Sequence, residues 1–315
     1  MKDFPTKPAE KKLHIGIILP DTKFSKELSA LVDWCLDDPR IEVDCLVTLM
    51  HKHHKKNITT LFQQVLWKMV ITFESLFAKD SNQNIDNLIQ DFDAWDKIKK
   101  LKIDPSVDQA KQNISKLKEY DLDLLIAFKL NKTSQIMSQA SRLGLLSFYH
   151  DEQNKNFEYP ICFEEVLKKQ NKTSFNILHV APKTQKVERI LKGSFVTHNF
   201  FLTNQRNLFL RRNFYMQKIL EDIHQGKNLN GKALKLEIQI NKVVTPRVID
   251  QFRYIIHATS IIKNKILNKA INKKDSWNVG LNFSSWKDFD FIKSIVLKNP
   301  DGHFLADPFI LKEGA

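Results

Sequence analysis

The segment GLLSFYHDEQNKNFEYPICFEEVLKKQNKTSFNIL, residues 144–178, carries more structural information than any other stretch of this chain. Gly144 follows TSQIMSQASRL (133–143), which has helical spacing, and a glycine there fits the left-handed backbone on which helices commonly stop. LLSFYH (145–150) is then a short apolar strand. A polar run leads to Pro160, a residue favoured in a first helical turn, and ICFEEVLKK (161–169) is the helix it opens. TSFNILHVA (173–181) and ERILKGSFVT (188–197) read as a pair of strands. Along 145–150 side chains alternate between faces, so Ser147 and Tyr149 point together, and Phe148 and His150 point the other way.

Upstream, KLHIGIIL (12–19), a helix from Ser25 to about Asp38 carrying Leu28, Leu31, Val32 and Cys35, and IEVDCLVTL (41–49) form a β-α-β unit with parallel strands. Its first turn, LPDTKFS, lacks GxGxxG, so the usual dinucleotide site is not expected. Residues 58–79 read as a long helix and 80–119 as a polar, partly helical insertion. DLDLLIAFKL (121–130) reads as a buried strand. Downstream come a basic helix from Asn204 to about His224, a loop marked by Gly226 and Gly231, a strand KLEIQINKV (235–243), and an amphipathic helix over 246–267. The expected fold class is α/β: a Rossmann-like parallel sheet flanked by helices, with C-terminal helices and a short β remnant.

With 315 residues, 42% apolar and 27% charged, the chain is long enough to bury a sizeable core, which excludes a mostly disordered chain. The 49 basic and 36 acidic side chains leave a net charge of +13, which favours anionic partners without choosing among them; the excess is also compatible with a merely lysine-rich coding bias. Cys35, Cys45 and Cys162 form no CxxC pair, so no disulfide framework is expected and a reducing compartment fits. The apolar run near the N-terminus is too short for a signal-peptide core, and no run approaches the roughly 20 residues of a membrane span. The expected location is the cytoplasm, with peripheral membrane contact left open. Basic residues are spread without an aromatic stacking surface, so no nucleic-acid partner is expected.

Together, the strand order, the helix-ending Gly144, Pro160 opening a helix, and Thr173 starting a strand resemble the formyltransferase family over roughly residues 12–225. More closely, Phe163, Glu165 and Val166 resemble a variant group whose formyltransferase-like domain is followed by a propeller-like domain. That second domain is similar to the N-terminal region of glucosamine inositolphosphorylceramide transferases. WNVGLNFSSWKDFDFIKSIVLKNPDGHFLADPFIL (277–311) resembles its start, through Trp277, Gly280 and Ala306-Asp307-Pro308-Phe309. The expected organisation is a disordered leader (1–11), a formyltransferase-like domain (12–225), a helical connector (226–276) and the start of a truncated propeller-like β domain (277–315). A propeller needs several four-stranded blades, and 277–315 supplies at most one.

The resemblance implies transfer of a formyl group from 10-formyltetrahydrofolate to an amine, here one on a sugar or sugar nucleotide of surface-glycan metabolism. Such chemistry needs donors for an oxyanion and a group that takes a proton, which suits an imidazole with a pKa near about 6.5. The family places these functions on Asn and His of one strand and on a later Asp. The Asn column falls on Ser147 and the His column on Tyr149. The Asp column lies nearest Gln185, and the Asp-x-Gly-x-Ile pattern is absent from APKTQKVERIL. All three catalytic columns are therefore changed. His150, with Asp151 after it, replaces the histidine only if the register slips by one residue or the strand ends early. The candidate site is Ser147, Tyr149, His150 and Gln185. The alternative is a non-catalytic scaffold or binding module of a glycosyltransferase-type protein, in which Phe148, Phe157 or Tyr159 fills the pocket; a truncated product without a function of its own is a third reading.

The remaining clusters have plainer readings. His51, His53 and His54, among lysines and without a neighbouring carboxylate or thiol, read as a solvated loop, and no metal is expected. Arg206, Arg211, Arg212 and Lys218 read as a solvated helix face, Tyr254 and His257 as packing residues, and Asp307 as a turn cap.

Overall fold

The computed structural model describes residues 12–19, 23–49, 58–77, 89–91, 95–104, 109–150, 157–229, 231–234, 242–243, 245–270, 279–283 and 291–298. The leader 1–11, the histidines at 51–54, Asp151, Trp277 and residues 306–309 lie outside them.

The described chain opens on β1 (Leu13–Leu19), apolar and buried on both faces except at His14, as the centre of a parallel sheet requires. β2 (Lys23–Ser25) precedes α1 (Lys26–Asp37), which buries Leu31, Val32 and Cys35 before β3 (Ile41–Leu49). α2 (Ile58–Phe77) and β4 (Ile89–Asp91) follow, and β4 pairs with β2 away from the main sheet. The polar insertion holds β5 (Lys99–Ile103), a strand that joins the sheet beside β3, and α3 (Ala110–Lys118). Then come β6 (Leu124–Ala127), α4 (Lys132–Met137) and β7 (Leu145–His150). β8 (Phe157–Glu158) and α5 (Phe163–Leu167) lead to the hairpin of β9 (Lys172–Val180) and β10 (Val187–Val196). α6 (Phe201–His224), β11 (Lys232–Leu234), β12 (Lys242–Val243), α7 (Val248–Ala270), β13 (Val279–Leu281) and β14 (Ile295–Leu297) complete the order.

Eight strands form one sheet in the order β11-β10-β9-β7-β6-β1-β3-β5. β5, β3, β1, β6 and β7 run parallel, as expected for the Rossmann-like core; β9, β10 and β11 continue it as antiparallel neighbours. The chain builds outward from β1 to β5, then returns to place β6 and β7 on the other side of β1. That reversal makes a topological switch point, and in open α/β sheets ligands bind outside the carboxyl ends of the strands there.

The sheet separates two apolar layers. One holds Leu13, Ile15, Ile17, Leu146, Phe148, Phe175 and Ile177 under α1, α2, α5, α6 and α7; Tyr254 of α7 is fully buried within it. The other holds Ile18, Cys45, Val47, Leu125, Leu145, Leu178 and Val180 with Leu117 and Met137 of α3 and α4. A bulge in β3 makes this division possible. Ile15 pairs with Val43 and Gly16 with Cys45, so Asp44 is left outside the pairing. Ile41 and Leu46 therefore serve the first layer, whereas Cys45 and Val47 serve the second. The last elements, β13 and β14, form an antiparallel pair of their own.

Candidate active site

β7 reaches the carboxyl edge of the sheet one strand from the switch point. Its pairing with β9 runs without a register break from Leu145 opposite Val180 to His150 opposite Phe175. The alternation therefore holds to the end of the strand. Leu145 faces the second layer, with Ser147 and Tyr149 in phase with it, while Leu146 and Phe148 face the first, with His150 in phase with them. No one-residue slip brings His150 round to the side of Tyr149.

Ser147 is fully buried, and its Oγ donates to the Ala127 carbonyl of β6 at 2.9 Å. Tyr149 is half-buried against the second layer. His150 forms an ion pair through Nε2 with Glu165 of α5, and its Nδ1 is buried without a hydrogen-bond partner. Burial is the largest single influence on the Glu165 carboxyl and raises its pKa. The hydrogen bond and charge of His150 outweigh it, and the carboxyl sits below the usual range. Gln185 has φ of +53° in the turn joining β9 to β10, where its carbonyl accepts from Gln135 Nε2 at 3.0 Å. Because β9 runs antiparallel to β7, that turn lies beside Leu145, at the amino end of β7. The structure thus brings Ser147, Tyr149 and His150 to one strand, on two faces, and leaves Gln185 at the opposite end of it.

One residue of the carboxyl edge escaped the sequence reading. Asn176 of β9 stands directly opposite Tyr149, and Lys192 of β10 stands directly opposite Asn176. Residues opposite one another share a face, so Tyr149, Asn176 and Lys192 form a polar row across three strands. Asn176 is 3% exposed and its Oδ1 has no hydrogen-bond partner. The available signal was an amide inside the apolar run TSFNILHVA, a residue type seldom buried without a partner.

The opposite face of β7 is closed. Arg212 of α6, read from sequence as solvated, is 3% exposed. Its guanidinium lies 4.0 Å from the centre of the Phe148 ring and Nη2 donates to the Phe128 carbonyl at 3.3 Å. Burial pulls its pKa down to about 9. Cys162, also buried, has its thiol pushed well above the ordinary value by burial and then by the charge of Glu165. Tyr159 is held elsewhere: its hydroxyl donates to Asp250 Oδ2 at 2.6 Å. The Phe157 side chain lies outside the described residues.

Among the described residues, one group has metal-ligating atoms close together: those of His14, Glu42 and Asp44 lie within 4.8 Å of one another. It sits toward the amino end of β1, away from Tyr149. His14 Nδ1 is already 3.2 Å from Asp44 Oδ2, and Glu42 faces Lys12 at 3.7 Å, which is an ion-paired surface cluster.

No protein-family model matches the chain, and no curated protein matches it. Solved structures do show similarity. Glycinamide ribonucleotide transformylase 1 from Symbiobacterium toebii is 10% identical, with a TM-score of 0.45 over 74% of this chain and 99% of that one. The phosphoribosylglycinamide formyltransferase of Coxiella burnetii is 11% identical, with a TM-score of 0.44 over 71% of this chain and 96% of that one. A sugar N-formyltransferase from Shewanella sp FDAARGOS_354 is 9% identical, with a TM-score of 0.39 over 77% of this chain and 87% of that one.

Proposed function

We propose that this chain is a formyltransferase-like protein that passes a formyl group from a folate donor to an amine of a sugar or sugar nucleotide. Its reacting edge is the row Tyr149, Asn176 and Lys192. The observation that carries this is the unpartnered amide end of Asn176, buried beside Tyr149 on the face that the family resemblance assigns to reacting strand residues. An unsatisfied buried polar group costs about 1–3 kcal/mol, a cost that a ligand removes by supplying the missing hydrogen bond. That orphaned atom is also what fits the edge to a polar ligand such as 10-formyltetrahydrofolate, which when bound supplies the formyl carbon.

The chain's own groups then have definite tasks. The Asn176 amide carries two donors and an acceptor, and whichever end faces the ligand offers a fixed dipole to the oxygen that gains charge during attack. Lys192 supplies positive charge for a sugar-nucleotide phosphate. Among the described residues neither an imidazole nor a carboxylate belongs to this row, so these residues would position and stabilise, and the proton given up by the amine would pass through solvent to the donor nitrogen that is released.

The test is calorimetric titration with a stable formyl-folate analogue. We expect binding at about micromolar Kd and at least about tenfold weaker binding by Asn176→Leu. Formylation of amino-sugar acceptors would then be followed by mass spectrometry. No binding at millimolar analogue, in a chain shown to be folded, overturns the proposal. One observation favours the second reading, a non-catalytic scaffold: the Ser147 hydroxyl is spent on the Ala127 carbonyl and the His150 imidazole on Glu165.

A further inference from the structure

Helices α2 and α7 pack against each other, and each carries an apolar face that stays exposed among the described residues. On α2, Leu61, Phe62, Val65 and Met69 are 49%, 60%, 57% and 63% exposed. On α7, Ile249, Phe252 and Ile256 are 53%, 49% and 68% exposed, and Ile266 and Leu267 are 64% and 50% exposed further along. Spacings of three, four and seven residues put each set on one side of its helix. Scattered exposed hydrophobic residues are ordinary, but two contiguous stripes on neighbouring helices mark a contact surface.

The charges around these stripes select the partner. Lys68 shares the face of Leu61 and Val65, and Arg253 and Lys263 share that of Ile249 and Ile256; all three are exposed. The acidic residues of the two helices are Glu74 and Asp250, and both are buried. Glu74 accepts from the Leu202 N–H, and Asp250 is held by Tyr159 and Arg247, with Arg253 at 3.8 Å from it but still 66% exposed in its side chain. Among the described residues of these two helices the exposed charge is thus entirely basic, on a chain of net charge +13.

We infer that the α2–α7 face docks on an anionic phospholipid surface. Apolar side chains enter the interface while lysine and arginine meet the headgroups, which is the physics of helices that lie on a membrane. No described helix is long and apolar enough to cross one. A second copy of the chain is a poorer occupant, because pairing like faces sets Lys68, Arg253 and Lys263 against their equivalents with no exposed carboxylate on these helices to offset them.

The test is co-sedimentation of the full 315-residue chain with phosphatidylcholine vesicles, with and without about 30% phosphatidylserine. The variant is Met69→Glu with Ile256→Glu; both sites are exposed, so the fold should survive, and circular dichroism checks this. Expected are binding that requires the anionic lipid, at least a tenfold loss in the double variant, and weakening at high salt. Three results would each overturn the inference: no sedimentation with anionic vesicles, equal binding to neutral ones, or unchanged binding by the double variant. So would a dimer in light scattering that the double variant dissociates, since the face would then join two copies.

Discussion

Glu74 offers the sharpest test of the packing described above. It lies on α2, fully buried, and its Oε1 accepts from the Leu202 N–H of α6 at 2.7 Å. The first N–H groups of a helix have no partner within it and carry partial positive charge, so a carboxylate suits that end. The other oxygen, Oε2, has no hydrogen-bond partner. Burial therefore dominates and pushes the carboxyl up from 4.5 to about 7, although the Leu202 N–H and the Tyr254 hydroxyl pull it part of the way back. A carboxyl raised on folding contributes stability that is fully present below its unfolded value and is lost as pH rises through its folded value. The separation is roughly 2.5 units at about 1.4 kcal/mol per unit, so ionising Glu74 costs the native state about 3 kcal/mol. Glu74→Gln keeps an acceptor for Leu202 and removes the titration. Urea unfolding of both proteins from pH 4 to pH 8 should show the variant gaining on the wild type by about 3 kcal/mol across that range, chiefly between pH 4.5 and 7. Other carboxylates cancel in the difference. A difference that stays flat with pH would falsify the account, because Glu74 would then titrate alike in both states.

Three further substitutions probe other parts of the molecule. Gly144→Ala should lose at least about 2 kcal/mol in the same unfolding assay, since φ is +87° and an added Cβ would lie 2.1 Å from the Val180 carbonyl oxygen; unchanged stability would rule out that close approach. Arg212→Met should cost less than about 1 kcal/mol or even stabilise, because the buried guanidinium is balanced by a carbonyl and aromatic rings rather than by a carboxylate; a loss beyond about 2 kcal/mol would show a stronger partner. Asn204→Ala should cost about 2–3 kcal/mol: its side chain accepts from the His198 N–H at 2.9 Å and donates to Thr173 Oγ1 at 2.8 Å, tying the start of α6 to β9. Wild-type stability in that variant would mean solvent replaces both bonds.

The central strands were legible because short runs rich in Ile, Val and Leu between turn residues have few other uses; β3 occupies the nine residues of IEVDCLVTL. β5 was not. KKLKI has three lysines in five residues and becomes a strand only because β3 presents unpaired backbone groups beside it. The bulge at Asp44 was equally invisible, since simple alternation puts Ile41 and Cys45 on one face. In the candidate site, alternation along 145–150 placed Ser147 and Tyr149 opposite Phe148 and His150. It gave no view of what each side chain meets. Glu165 reaches His150 only because α5 folds back over the end of β7, and Asn176 meets Tyr149 only through an antiparallel register. Arg212 misled for a related reason: a basic helix reads as solvated until its packing angle is known.

The two borders of the sheet have a consequence for how the protein behaves in a crowded solution. An unpaired strand edge is a template on which another chain can add itself. Among the described residues one border is β5, with exposed Lys99 and Lys102, and the other is β11, three residues long and led by exposed Lys232. Charge at one border and brevity at the other oppose edge-to-edge growth, so the eight-stranded sheet gains protection from fibril formation where it is open. Lysine-to-threonine changes along β5 should leave the fold intact and remove that safeguard, so that the protein gels or fibrillises on concentration.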